Sequence, residues 1–284
     1  MRTSALVATA AASLLAAACT TAPTASTSAP PTTVAAVGEF RPGLVKGYLS
    51  PAELPDSLAL LPPPPAEGSA LLAADKEAYK ALTALQKGPR GVQATKDANL
   101  KFPGAEKAFA CALGVDISEQ NTPHTNMLLR RTLLDAGLAT YKAKDKYQRT
   151  RPFVVFNEGT CTPNEEPALR KDGSYPSGHS ALGWAWAMVL TQVSPERADA
   201  LLQRGRSFSQ SRGVCGVHWK SDIEAGRLMG SAAVARLQTN AVFNAQVAAA
   251  REEVAAARAK GLVPPAATCA AEAAALATST QLAP

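Results

Sequence analysis

HSALGWAWAMVLTQV, residues His179–Val193, carries Leu182, Trp184, Trp186, Met188 and Val189 with almost no polar side. A surface helix shows a polar stripe opposite its apolar one, so a helix apolar nearly all round belongs at the centre of a bundle. Helix signals recur on both sides of it. Glu67-Gly68-Ser69 offers an N-cap for Ala70–Ala84, Thr122-Pro123 offers a cap and a first-turn proline for a helix with Met127, Leu128, Leu134 and Leu138 at helical spacing, and Ser194-Pro195 opens a stretch to about Arg212. Alternating β-branched runs are missing, and Phe153-Val154-Val155-Phe156 is the one short stretch that reads as a strand. The expectation is an all-α protein, a single helical-bundle domain over residues 45–260.

The flanks read differently. Residues 1–18 carry Arg2 and then an apolar stretch ending in Ala16-Ala17-Ala18, the pattern of a secretory signal. Leu14-Leu15-Ala16-Ala17-Ala18-Cys19 also resembles a lipoprotein cleavage box with Ala16 where Leu is usual, so lipidation of Cys19 and ordinary cleavage before it both stay open. Residues 19–44 are mostly Thr, Ser, Ala, Pro and Val, too poor in large apolar side chains to fold, and read as a disordered tether. Pro51, Pro55 and Pro62–Pro65 make Leu44–Pro65 an extended strap. Beyond Pro264-Pro265, a small helix over Ala266–Ala277 is expected within a tail of residues 261–284. The export signal, with no later stretch long and apolar enough to span a membrane, predicts an exported protein, soluble or held to a membrane only through a lipid at Cys19.

Setting Cys19 aside leaves Cys111, Cys161, Cys215 and Cys269, an even number for an oxidising compartment. Four cysteines allow three connectivities. Cys161 and Cys215 both fall in the stretch that would build the pocket described next, which favours Cys161–Cys215 with Cys111–Cys269. The net charge of +6 raises nucleic acid as a partner, but the Lys and Arg residues form no dense block and aromatics are 5% of the chain, leaving few stacking platforms for bases. The oligomeric state, a homo-oligomer included, stays open.

Tyr175-Pro176-Ser177-Gly178-His179 ends at the start of the central helix, where unpaired N–H groups and the positive dipole end favour an anion. His218 and Asp222 stand four apart on a helix expected to begin near His218, so they can touch; a carboxylate on one imidazole nitrogen fixes the tautomer and frees the other to attack. Lys144, Arg151 and Arg212 would supply positive charge, and the planar arginine fork suits phosphate oxygens. His179 is then left as the acid that protonates a departing alcohol. A neutral nucleophile and a protonated acid, with histidine near 6.5, predict activity on the acidic side of neutral and a bell-shaped pH profile. His124 matches none of this and reads as structural, and Trp184 and Trp186 read as core.

Lys144-x6-Arg151-Pro152, Pro176-Ser177-Gly178-His179 and Ser211-Arg212-x5-His218-x3-Asp222 together resemble the three-part signature of the phosphatidic acid phosphatase type 2 superfamily. Gly173–His179, the strap pieces Gly47-Tyr48-Leu49 and Leu54-Pro55-Asp56-Ser57, and Cys215-Gly216-Val217-His218-Trp219 are similar to the bacterial class A non-specific acid phosphatases, with Ser180 where those commonly carry Thr. The resemblance implies an all-helical periplasmic enzyme that cleaves many phosphate monoesters without metal or other cofactor, through a phosphohistidine. His218 would be the nucleophile, His179 the general acid and Asp222 the partner of His218. Lys144, Arg151, Ser177, Gly178 and Arg212 would bind phosphate. The superfamily's vanadate-dependent haloperoxidases supply one alternative, and a non-catalytic phosphate-binding lipoprotein another. A two-histidine, one-carboxylate metal site is disfavoured by three converging cations, and a serine hydrolase by the missing Gly-x-Ser-x-Gly elbow.

Overall fold

The computed structural model describes residues 29–282; the signal segment and Cys19 lie outside them. The longer helices are α1 (Ala70–Thr83), α2 (Pro89–Ala98), α3 (Pro123–Leu138), α4 (Tyr141–Tyr147), α5 (Gly178–Val193), α6 (Ala198–Val214), α7 (Lys220–Leu237), α8 (Ala241–Ala259) and α9 (Ala266–Leu276). A small antiparallel hairpin, β1 (Glu39–Arg41) with β2 (Leu44–Val45), is the sole sheet among the described residues, so the fold is helical as the apolar patterning required. The hairpin and a helical turn at Val34–Val37 fall in the stretch whose composition reads as a tether.

α5 is the hub. It packs against α6, α7, α3 and α8, and Ala181, Ala185, Trp186, Val189 and Leu190 on it are all fully buried. The α5–α7 crossing is close because α7 presents Gly226 and Gly230 there. A Cβ at 226 would sit 2.5 Å from the Ser177 carbonyl oxygen, and one at 230 would collide with the Ala181 carbonyl. Two alanine-or-larger side chains would hold the helices apart, and with them the two segments that carry the histidines.

Residues 153–156 are not a strand. Phe153–Val155 belong to the helical turn Pro152–Val155, which Phe156 ends, because Pro152 presets a helical φ behind Arg151 and, among the described residues, the two strands of the one sheet pair only with each other. Thr122 does not cap α3; its hydroxyl bonds Ser118, and the Glu253 carboxylate from α8 takes the N–H groups of His124 and Thr125 at 2.8 Å each. Ser69 does cap α1, accepting from Leu72 N–H at 3.2 Å. His124 serves the same junction, with Gln246 of α8 at 2.8 Å from its ring.

The strap clamps the bundle at the end that bears α4. Asp135 of α3 accepts the N–H groups of Tyr48 and Leu49 (2.8 and 3.2 Å), Ser57 Oγ accepts from Ala143 N–H at 2.9 Å, and Pro62 O accepts from the Tyr175 hydroxyl at 2.9 Å. Both cysteine pairs are joined, Cys111–Cys269 with Cα atoms 5.4 Å apart and Cys161–Cys215 at 4.7 Å. The first fixes α9, which buries no residue of its own. No described helix is long and apolar enough to cross a membrane.

Candidate active site

Every expected site residue lies at or beside a helix end. Lys144 is in the last turn of α4, Arg151 precedes the turn Pro152–Val155, Ser177–His179 open α5, Arg212 is in the last turn of α6, and His218–Asp222 lead into α7. The helix at His218 starts later than its spacing suggested. α7 begins at Lys220, so His218 lies outside it and Asp222 sits at its third position. The pair meets because Asp222 folds back over the helix start. Its Oδ2 accepts the N–H of Trp219 at 2.9 Å and lies 3.3 Å from His218 Nδ1.

The protonation of His218 follows from its partners. Nε2 is 3.1 Å from Arg151 Nη1, and a guanidinium can only donate, so Nε2 carries a lone pair. Nδ1 therefore bears the hydrogen and gives it to Asp222. Burial first, then the charges of Arg151, Lys144 and Arg212, hold His218 well below the ordinary histidine range. The result is a neutral imidazole with its free electron pair turned to the cations.

The cations are buried at unequal cost. Arg151 is anchored by the carbonyls of Leu169, Asp172 and Val217 at 2.9–3.0 Å. Lys144 Nζ donates to Gly173 O at 2.6 Å, and burial with the Arg151 charge lowers it to about 8. Arg212 is fully buried, yet its Nε and Nη1 find no protein acceptor, and burial lowers it to about 10. Unsatisfied buried donors on a cation are expensive, and an anion would satisfy them. The Arg212 charge reaches both His218 and His179.

At the start of α5, Ser177 Oγ accepts from the N–H and the hydroxyl of Ser180 (3.2 and 2.9 Å), which leaves its own O–H free to donate. Ser177 N–H is bonded to Asp222 O at 3.0 Å, so the turn offers an anion the N–H groups of Gly178 and His179. His179 Nε2 lies 3.1 Å from Ala98 O at the end of α2; a carbonyl only accepts, so Nε2 is protonated and Nδ1 is the remaining titrating atom. Burial, then Arg212, hold this histidine well below its ordinary range.

Three residues that sequence reasoning passed over join the site. Asp172, with 43% of its side chain exposed, places Oδ2 3.0 Å from Arg151 Nη2 and 3.6 Å from Lys144 Nζ. Arg149 donates to Asp222 Oδ1 at 2.6 Å and to Asp75 Oδ2 at 2.7 Å. Asp75 had a signal: it shares the buried face of α1 with Leu72, Ala78, Tyr79 and Leu82, an acid where the pattern asks for an apolar residue. Among the described residues, no group of three or more His, Cys, Asp or Glu side chains converges as a metal site would.

A helical bundle with a cation-lined cradle at the start of its buried helix defines an anion-handling protein, and comparison with known proteins says which kind. Residues 127–245 match the PAP2 superfamily. A non-specific acid phosphatase of Providencia stuartii is 46% identical over 209 residues, 73% of this chain and 84% of the relative. One of Salmonella typhimurium is 44% identical over 211 residues (74% and 84%), and an acid phosphatase of Zymomonas mobilis is 38% identical over 209 (74% and 79%). The chain belongs to the PAP2 superfamily and, within it, to the bacterial class A acid phosphatases.

Proposed function

We propose that the protein is an exported, broad-specificity acid phosphatase that hydrolyses phosphate monoesters through a phosphohistidine, with no metal. The observation that carries this is the state of His218: a neutral ring, Nδ1–H held toward Asp222, and the Nε2 lone pair 3.1 Å from a guanidinium that would bind the phosphoryl oxygens. Nε2 attacks phosphorus as the ester P–O bond breaks, and His179 gives its Nδ1 proton to the departing alkoxide. Water then attacks the phosphohistidine while His179 takes the water's proton, releasing phosphate and restoring His218. Lys144, Arg151, Arg212, the Ser177 hydroxyl and the Gly178 and His179 N–H groups stabilise the charge on the transferring group.

Protonation of His179 is opposed by burial and by Arg212 in the free protein. A phosphate dianion would reverse the local field and raise that proton's affinity, so acid and substrate arrive together. The same field keeps His218 neutral well below pH 6.5, which suits work on the acidic side of neutral. An export signal and two disulfides accord with a periplasmic location, with Cys19 the candidate lipid anchor.

The test is to quench the enzyme at acidic pH with labelled substrate and locate the label. Label on His218 that is lost in His218→Ala supports the mechanism; label on a serine, or activity that needs a metal returned after EDTA, overturns it. His179→Ala is expected to slow esters of poor leaving groups by about 10² to 10⁴ and p-nitrophenyl phosphate far less, since a good leaving group needs little protonation.

A further inference from the structure

We propose that Arg149, held between Asp75 and Asp222, is a positioning residue that keeps the Asp222 carboxylate ionised and turned so that one of its oxygens faces His218 Nδ1. The inference rests on the phosphohistidine reading above. Arg149 falls inside the Lys144–Arg151 interval but does not share the task of its neighbours. Nη1 donates to Asp222 Oδ1 (2.6 Å) and Ser221 Oγ (2.8 Å), and Nη2 to Asp75 Oδ2 (2.7 Å), so each end of the fork is paired with a buried carboxylate, whereas the carboxylate on Arg151, Asp172, is part exposed. The guanidinium carbon also lies 5.2 Å from the Trp219 ring centroid, which fixes the plane of the fork.

Geometry divides the labour on Asp222. With Oδ1 held by Arg149, Oδ2 is left for Trp219 N–H and His218 Nδ1–H. Asp75, from a different helix, closes the arrangement. Its Oδ1 accepts Ser221 N–H at 2.8 Å and its Oδ2 the Ser221 hydroxyl at 2.6 Å, so α1 docks on the first turn of α7 through the same cluster that orients the catalytic pair. Two carboxylates with 1% and 0% of their side chains exposed thus share one guanidinium. Without it neither buried carboxylate would keep a cation hydrogen-bonded to it, and a carboxyl in that position takes up a proton more readily.

Charges from every side bear on Asp222: Arg149, with Asp75 beyond it, on one flank, His218 and Trp219 N–H ahead of α7, the Ser174 hydroxyl and the Tyr175 phenol from the segment before α5, and Lys144 and Arg151 across the cradle. Burial raises the Asp222 carboxyl, and Arg149 is the largest influence against that rise. The first proton taken up by the His218–Asp222 pair, on whichever residue it rests, silences the nucleophile or removes its acceptor. Taking away the Arg149 charge makes that proton bind more tightly; taking away the Asp75 charge makes it bind more weakly. The two substitutions therefore move the acid limb of the pH profile in opposite directions, which no purely architectural role would produce.

The experiment follows kcat and kcat/KM for p-nitrophenyl phosphate between about pH 4 and about pH 8 in the full chain, with Arg149→Gln, Arg149→Lys and Asp75→Asn. In Arg149→Gln, kcat is expected to fall about 10- to 100-fold with KM within about threefold, and the acid limb to move up by about one pH unit or more. Arg149→Lys restores the charge without the fork, so its limb returns to the wild-type position while kcat recovers in part. Asp75→Asn lowers the limb, and a limb that stays at the wild-type position in this variant counts against the proposal. Circular dichroism and thermal melts establish that each variant is folded; if Arg149→Gln is not, the limb positions of the Lys and Asn variants decide. A uniform loss with no movement of the limb, or a loss carried by KM alone, overturns the proposal while wild-type turnover leaves the phosphatase reading standing. A wild-type protein that never forms a phosphohistidine overturns the reading beneath it instead.

Discussion

Gly226→Ala tests whether the α5–α7 crossing sets the geometry of the cradle. A Cβ there lies 2.5 Å from Ser177 O, 2.8 Å from Ser180 Cβ and 3.3 Å from Ala181 N, so two of the three neighbours are backbone atoms that cannot swing away. Restoring van der Waals contact requires α7 and the start of α5 to part by roughly 1 Å. Overpacking of this kind costs about 1–3 kcal/mol of stability. The kinetic cost is expected to be larger. Ser177 N–H is bonded to Asp222 O at 3.0 Å, so the parting separates the phosphate-facing turn from the segment that orients His218. A misplacement of about 1 Å between catalytic groups is worth about 10²-fold in rate. Gly137→Ala is the control: it lies in α3 with nothing within 4 Å of the new Cβ, and replacing a helical glycine there should stabilise by about 0.5–1 kcal/mol with no kinetic effect. Thermal melts and kcat/KM on p-nitrophenyl phosphate read both quantities. If Gly226→Ala melts lower yet keeps kcat/KM within about twofold of wild type, the crossing holds the bundle together without setting the site, and the argument from close approach is refuted.

Other expectations follow from single contacts. Asp172 gives Arg151 and Lys144 a partly exposed counterion in the ligand-free protein, so Asp172→Asn should lower KM for phosphate monoesters and strengthen inhibition by inorganic phosphate by about 3- to 10-fold, as a steady-state inhibition series would report. Because His179 is depressed when free and raised by a bound dianion, the complex holds more protons than its parts, and this contribution to phosphate affinity grows as pH falls from the raised bound value toward the depressed free one. Calorimetry in two buffers of different ionisation enthalpy should show proton uptake that His179→Gln removes. Replacing Cys111 and Cys269 by serine should cost about 2–4 kcal/mol and expose α9 to hydrogen exchange, while kcat stays near wild type because α9 buries no residue and bears no site group.

What could be read from the sequence is what depends on local periodicity and on spacing along the chain. His179–Val193 is apolar around its whole circumference, and only a position surrounded by other helices satisfies that, so the hub of the bundle was legible before any coordinates. The ordered Lys, Arg, Ser-Gly-His and His-x3-Asp segments named a cradle because phosphate transfer needs those groups and few other chemistries need them together. Tertiary structure decided the rest. That Phe153–Phe156 curls into a turn depends on its finding no strand partner among the described residues, and that Asp222 reaches His218 from inside a helix that His218 never enters depends on how α7 is capped. Arg149 looks like one more cation of the cradle until Asp75, 74 residues away in the chain, takes half of its fork. Sequence spacing fixes which side chains can meet along one helix. Whether a buried charge faces an incoming anion or a carboxylate of its own chain is settled only when distant helices pack and each guanidinium must find acceptors in the space left to it.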